Sequence, residues 1–466
     1  MRASSIYTFL LLALFGARGT AQDTANTLSV TRFIEQVRTY HPVARQANLL
    51  TEMAEANLLA ARGAFDPVAE LTNNAKSLDG TNYYRNTNPE LRLPTAFGVE
   101  LKTGFERNEG VYLNPERTKG VATYLGLEIP VLNGLLIDKR RAALQQAKII
   151  STRSEQERLA AYNNLLFDAY TTYWQWAGAH QLLQVYQEFE AISAERLALV
   201  RLLFENGDRP MADTVEAHSQ LLNYRLLATA ALQERNRQAI ELSGYLWSEA
   251  GNPMLLPENA IPDSLSTNLE APEALQAEVM NNIILNHPEL RAYRFKLQEM
   301  DVELRLKRQE LLPVLKLKAN LLSKEYYDYK EINPAYFRNN HQWGLTFKMP
   351  LLLREARGAY RNAQLKIESA NLDIARKSFQ IEQKILQYLN EAKLLRSQLQ
   401  TATSMYNDLS FLLKTEELKF SQGESALFLI NSRESKVIET QQKLVELQVK
   451  YLKALYAIEW ASGRMR

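Results

Sequence analysis

The sequence predicts an α+β membrane protein built twice over, in which membrane-length β-strands are continued by very long coiled-coil helices. Three observations carry this. Landmarks recur in the same order along the chain, apolar residues recur every seven places through long helical stretches, and segments of about ten residues alternate apolar with polar.

The composition sets the frame. The chain has 466 residues, 55 basic and 53 acidic, with 5 His and no Cys. A formal charge of +2 argues against a basic nucleic-acid binder. The lack of Cys excludes disulfides, thiolate metal sites, thiol nucleophiles and a lipid-anchored N-terminal Cys.

Residues 1–21 read as a secretory signal peptide. Arg2 supplies the positive start, Ile6 to Phe15 an apolar stretch too short to span a bilayer, and Gly19 and Ala21 a small-residue cleavage site before Gln22. No later segment reaches about 18 unbroken apolar residues, so insertion into a membrane must use strands.

Four landmarks repeat in order. His41-Pro42 recurs as His287-Pro288, and Pro67 as Pro313. Ile129-Pro130-Val131-Leu132 resembles Met349-Pro350-Leu351-Leu352, and Phe204-Glu205-Asn206-Gly207 resembles Phe420-Ser421-Gln422-Gly423. Such order implies duplication. The first repeat covers 22–250 and holds a β-hairpin at about 68–131. A Pro-rich linker follows at 251–270, and the second repeat covers 271–466 with a hairpin at about 314–350.

Each repeat follows one grammar. Helices are expected near 28–38, 43–63, 141–205 and 211–248, and again near 272–285, 288–311, 357–419 and 425–461. A helix of about 62 residues reaches roughly 95 Å. In the second repeat Ile374, Ile381, Tyr388, Leu395, Ala402 and Leu409 fall seven apart. Ile385, Ala392, Leu399, Tyr406, Leu413 and Phe420 form a second such series, which demands coiled-coil packing. The first long helix keeps the pattern more loosely through Leu165, Ala169, Trp176, Ala179, Leu183, Tyr186, Leu197 and Phe204.

The alternating segments are Ala69 to Ala75, Val121 to Ile129, Leu315 to Leu321 and Trp343 to Met349. Each lies in a stretch of about ten residues, the length of a tilted transmembrane strand. Charges on the polar faces and an export signal favour a membrane barrel over a soluble half-buried sheet. Four strands per chain would leave unsatisfied edges in lipid, so several chains must close the barrel. A fifth alternating segment, 97–108, does not fit. One more crossing would strand the chain on the wrong side of the membrane, so it reads as an outside strand, a plug or a partial strand.

These residues resemble the TolC-like family of outer-membrane efflux proteins, also called outer membrane factors. The resemblance runs from about Leu28 to Gly463 and rests on the duplication, the two His-Pro starts, the strand pairs and the paired Phe-x-x-Gly turns. It implies a homotrimer: a 12-stranded barrel, four strands per chain, in the outer membrane of a Gram-negative bacterium, with a long α-helical barrel in the periplasm. It implies a channel in a tripartite efflux or type I secretion system. Its partners would be outer-membrane lipid, a periplasmic adaptor (membrane fusion protein) and an inner-membrane pump, with no nucleic acid and no cofactor. The turns Phe204 to Gly207 and Phe420 to Gly423 would be the periplasmic tips where the adaptor docks. Asp208 and Glu424 would follow them at helix starts, where capping is an equal explanation. Asp213 matches a family Asp. The two Asp that ring the pore in well-known members are replaced by Leu429 and Ser432, so a constriction would use Leu429 or the neighbouring Asn431 and Arg433.

Two other readings remain at this point. An enzyme would need a motif, and none of the common phosphate-binding, serine-hydrolase or metalloprotease patterns is present. His41, His180, His218, His287 and His341 are scattered, so neither a catalytic nor a metal site is expected. A periplasmic coiled-coil adaptor without a membrane barrel is the stronger rival, but two hairpins leave little sequence for its β domains.

Overall fold

The computed structural model describes residues 27–114, 116–266, 277–324 and 339–465. The expected signal peptide therefore lies outside the described residues, as does part of the expected helix 272–285.

The elements follow in chain order. β1 (Thr27–Leu28), α1 (Val30–Tyr40) and α2 (Pro42–Gly63) lead into four strands: β2 (Val68–Leu78), β3 (Thr81–Pro94), β4 (Glu100–Glu109) and β5 (Gly120–Pro130). Then come α3 (Lys139–Glu205), α4 (Met211–Ser243) and β6 (Ile261–Pro262). The second half has α5 (Ala277–Asn286), α6 (Pro288–Gln309), β7 (Val314–Lys324), β8 (His341–Lys348), α7 (Arg354–Ser421) and α8 (Leu427–Ala461).

Each His-Pro pair sits where one helix yields to the next. Pro42 and Pro288 occupy the first helical position, where the missing N–H costs nothing. His41 is the N-cap of α2, and its Nδ1 accepts from the Val43 N–H at 3.2 Å. His287 holds the same place before α6, but its ring makes no capping bond.

The long helices span 67 residues in α3 and 68 in α7, or roughly 100 Å each. α2 and α4 both pack along α3, and α6 and α8 both pack along α7, so two shorter helices run beside each long one. α3 also packs on α6 and α8, which joins the halves into one helical layer. Ile381, Ile385, Ala392, Leu395, Leu399, Ala402, Leu413 and Phe420 are buried, as the seven-residue series predicts. The core midway along α3 centres on Tyr173, Trp174 and Trp176, packed against Phe33, Leu242 and Leu452. Nearer the tip it passes to Val200, Tyr224, Leu427 and Ile430.

The sheet corrects the strand count. It has six strands in the order β2-β3-β4-β5-β7-β8, every neighbour antiparallel. Four strands per chain is therefore wrong, and the stretch 68–131 is two hairpins rather than one. The segment 97–108 is neither plug nor outside strand: its core is β4, in the middle of the sheet. Its unseen partner is β3, which reverses at Asp79-Gly80, both residues at positive φ as a tight hairpin requires. With β3 present the stretch holds four antiparallel strands, so the chain leaves β5 at the end of the sheet where it entered β2.

β3 was not visible in the sequence because it breaks strand rules. Pro89 cannot donate to a ladder, yet it lies in an interior strand. Gly104 on β4 makes this possible, since a Cβ there would come within 2.4 Å of the Pro89 carbonyl oxygen.

Candidate functional site: a two-faced sheet and two helical tips

The ladder registers sort the sheet into two faces. Leu71, Leu91, Leu101, Leu127, Leu317 and Leu345 lie on one face, with Phe347 and Trp343 on the edge strand. Leu71, Leu345, Phe347 and Trp343 are well exposed, so nothing among the described residues covers that face. On β5 the apolar row runs from Val121 to Ile129. Nine residues at about 3.3 Å, tilted about 40°, give a band of roughly 23 Å, close to the height of a barrel's lipid-facing belt.

The opposite face is charged and internally paired. Arg92 bonds Glu70 at 2.9 Å and also pairs with Glu90. The Tyr124 hydroxyl donates to Glu90 at 2.6 Å. Lys102 meets Glu128 at 3.0 Å, and Lys316 meets the same carboxylate at 2.9 Å. Opposite charges thus alternate across β2, β3, β4, β5 and β7. Such a row is stable facing water and would be costly facing lipid.

At the far end of the helices, each hairpin turns at its Phe-x-x-Gly sequence. Gly207 has φ +81° and Gly423 has φ +80°, the left-handed conformation that ends a helix. The Gly207 N–H donates to the Phe204 carbonyl at 2.9 Å, and the Gly423 N–H to the Phe420 carbonyl at 3.0 Å. The Asp208 and Glu424 N–H groups close the same turns onto Leu203 and Lys419. Neither carboxylate is a helix cap. α4 and α8 begin three residues later, with Pro210 and Ala426 as N-caps and no side-chain capping bond. The acidic residue in the first turn of α4 is Asp213.

The other expected residues separate. Asp213 faces Arg209 at 3.6 Å. Asn431 donates to Glu216 at 2.9 Å, which points it into the hairpin pair. Leu429 and Ser432 are exposed and three apart, on one side of α8. Arg433 is half-buried. Phe420 is buried, whereas Phe204, expected on the seam of α3, is 41% exposed. The seam ends one turn before it, at Val200.

Two features were missed. Arg209 lies across the Phe420 ring at 4.7 Å and donates to the Ser425 carbonyl at 3.2 Å, tying the first turn to the second. Further up the hairpins, Glu434 is fully buried. It takes both Arg196 nitrogens, at 2.8 and 2.9 Å, and the Tyr224 hydroxyl at 2.8 Å. Burial and the adjacent Glu434 charge push the Tyr224 hydroxyl far above its ordinary range. Burial also raises the Glu417 carboxyl, only partly opposed by the nearby Arg196, and the Glu434 charge adds to the rise. Glu434 follows Leu427 by one heptad, so a carboxylate on an apolar seam was the signal available.

The comparisons agree with this geometry. Residues 279–464 match the family model of the outer membrane efflux protein. Among solved structures, the Neisseria gonorrhoeae MtrE outer membrane channel in its open state has a TM-score of 0.68 at 14% identity, covering 94% of this chain and 89% of that one. The Campylobacter jejuni CmeC outer membrane channel gives 0.65 at 14% identity, over 94% and 86%. The outer membrane protein VceC from Vibrio cholerae gives 0.63 at 14% identity, over 93% and 96%. No curated protein matches by sequence. Residues 279–464 are thus similar to the outer membrane efflux protein family, and nearly the whole chain has the fold of these channels. The TolC-like resemblance read from the motifs holds.

Proposed function

We propose that the chain is the outer-membrane channel of a tripartite efflux or type I secretion system. It is exported through the signal at 1–21 and assembles as a homotrimer in the outer membrane of a Gram-negative bacterium. Its helices extend into the periplasm toward an adaptor and an inner-membrane pump. The conduit is passive, and energy comes from the pump. The segments around Phe204, Gly207, Asp208, Phe420, Gly423 and Glu424 serve adaptor docking. Asp213, Leu429, Asn431, Ser432 and Arg433 line or control the constriction.

One observation carries this reading: a sheet with an uncovered apolar face and a charged face continues into helices roughly 100 Å long. Lipid satisfies the first face and a water-filled lumen the second. Opening is then a shift between two packings of the tips.

The test is the protein mass of the complex extracted by detergent from the outer-membrane fraction. Three chains' mass, followed by ion conductance in a planar bilayer, is the expected result. A detergent-free monomer in the periplasmic fraction would overturn the reading and favour an adaptor.

A further inference from the structure

Where the sheet meets the helices, the chain holds a cavity of about 850 Å³ that opens to solvent. Pockets of that size take small organic ligands. One side of it is the charged face of the sheet, through Glu100, Glu128, Lys316 and Lys348. The other side is built from the starts of α3 and α7 and the end of α6.

The charges in this cavity do not cancel. Most of its carboxylates are already taken. Glu100 meets Arg140 at 3.4 Å, Glu128 meets Lys316 at 2.9 Å and Glu310 meets Lys307 at 3.0 Å. Asp138 pairs with Arg141 at 2.9 Å. Lys139, Lys348 and Arg354 are exposed and have no ion pair among the described residues, and Glu355 has none either. The surplus is therefore positive, and a concave wall concentrates such a field on a counter-ion.

The two halves of the chain differ at this place. Pro130-Val131-Leu132 and Pro350-Leu351-Leu352 each lead from a strand to a long helix. In the first half Asp138 caps α3, and its carboxylate accepts from the Arg141 N–H at 2.9 Å. In the second half Leu353 holds the N-cap position of α7, and no side chain caps the helix. The N–H groups of Arg354, Glu355 and Ala356 have no partner within α7, and all three residues line the cavity. The carboxylate that the chain supplies at α3 is thus not supplied at α7, beside the unpaired Lys348 and Arg354. Leu306, Leu312, Leu353 and Ala359 give the rest of the lining an apolar character.

We infer that this cavity binds small organic anions. A carboxylate, sulfonate or phosphate group sits among Lys348, Arg354 and the first turn of α7, and an apolar body lies against Leu306, Leu312 and Ala359. The place of the cavity in a lumen rests on the channel reading above; the binding does not. In a conduit the site lies where the helical wall passes into the barrel and holds anionic cargo there in exchange with solvent. Its cations are exposed, which keeps the hold weak, as passage requires.

The test uses the full-length complex in a neutral detergent and naphthalenetrisulfonate, an anion whose charges keep it out of neutral micelles. Binding is read by calorimetric titration. Saturable binding is expected at low salt and should weaken as salt is raised. Lys348→Gln together with Arg354→Gln should weaken it about tenfold or more. Glu355→Gln removes the unpaired carboxylate and should tighten it. Lys436→Gln, which changes an exposed cation on α8, should leave it unaltered. No saturable binding to a complex that conducts ions in a planar bilayer would overturn the site and leave the channel reading intact. Affinity in Glu355→Gln no higher than in the parent would overturn it too, even if the double variant does not assemble. Binding with the expected variant effects on a complex that does not conduct would uphold the site and overturn the channel reading.

Discussion

The two helical tips share a sequence pattern and a backbone conformation, yet they do not share an environment. Gly207 and Gly423 have nearly the same φ, and both turns close with the same pair of backbone bonds. Phe204, however, is 41% exposed, whereas Phe420 is 8% exposed and lies under the Arg209 guanidinium. The difference arises at position 209. Arg209 leaves the first turn, crosses to the second and bonds the Ser425 carbonyl. The first turn therefore presents an aromatic ring outward, and the second is held inside the protomer. The two turns are alike in sequence and backbone, and one long cation distinguishes them. We read the first as the surface that meets a partner and the second as the part that must be released before the tips move.

The largest expected effect breaks what holds the two hairpins together above the turns. Arg196 and Tyr224 both donate to Glu434 across the protomer, and Glu434 has no exposure. Arg196→Met leaves a buried carboxylate with only a hydroxyl partner. The expected loss is about 3–5 kcal/mol, read as a clear fall in the unfolding temperature of the complex. Adding Glu434→Leu to the same chain should recover most of that loss, since a packed apolar pair removes the unpaired charge. An unchanged melting temperature in the single variant would show that the pair does not hold the hairpins.

The next effect separates the two aromatic rings. Phe420→Ala deletes a buried ring and should cost about 3 kcal/mol. Phe204→Ala deletes an exposed one and should stay within about 0.5 kcal/mol of the parent. If the first tip is a docking surface, Phe204→Ala should reduce co-purification of the adaptor while the channel remains intact. Equal stability losses in the two variants would remove the distinction between the tips.

The tips and the sheet also differ in how far the sequence revealed them. The long helices were legible because the seven-residue period survives over many turns, and residues such as Ile385 and Leu399 are buried where it places them. β5, β7 and β8 were legible because one face of the sheet is apolar and the other polar, which shows as strict alternation. β3 was hidden because Pro89 and a run of Asn and Thr erase that alternation, and because its accommodation depends on Gly104 in another strand. At the tips, the turns could be read from Gly, but the roles of Arg209 and Glu434 could not. Both depend on partners more than 200 residues away. A local pattern predicts local geometry, while an ion pair between distant segments requires the fold.

The smallest effect on stability, and the most specific one on function, concerns Leu429. It is exposed on α8 close to the second turn and shares a side with Ser432. A surface Leu→Asp change there should alter stability by less than about 0.5 kcal/mol. If Leu429 faces the pore, Leu429→Asp in three copies sets three carboxylates around one axis. Rings of carboxylates favour cations, so added divalent cation should block conductance of the variant and leave the parent unaffected. The effect should weaken as pH falls below the carboxylate range, where the ring loses its charge. Conductance unchanged by divalent cation at neutral pH would place Leu429 on the outer wall of the tip. The constriction would then belong to the Arg209–Asp213 side of the first turn, and the exposed and clamped tips would exchange the roles assigned to them here.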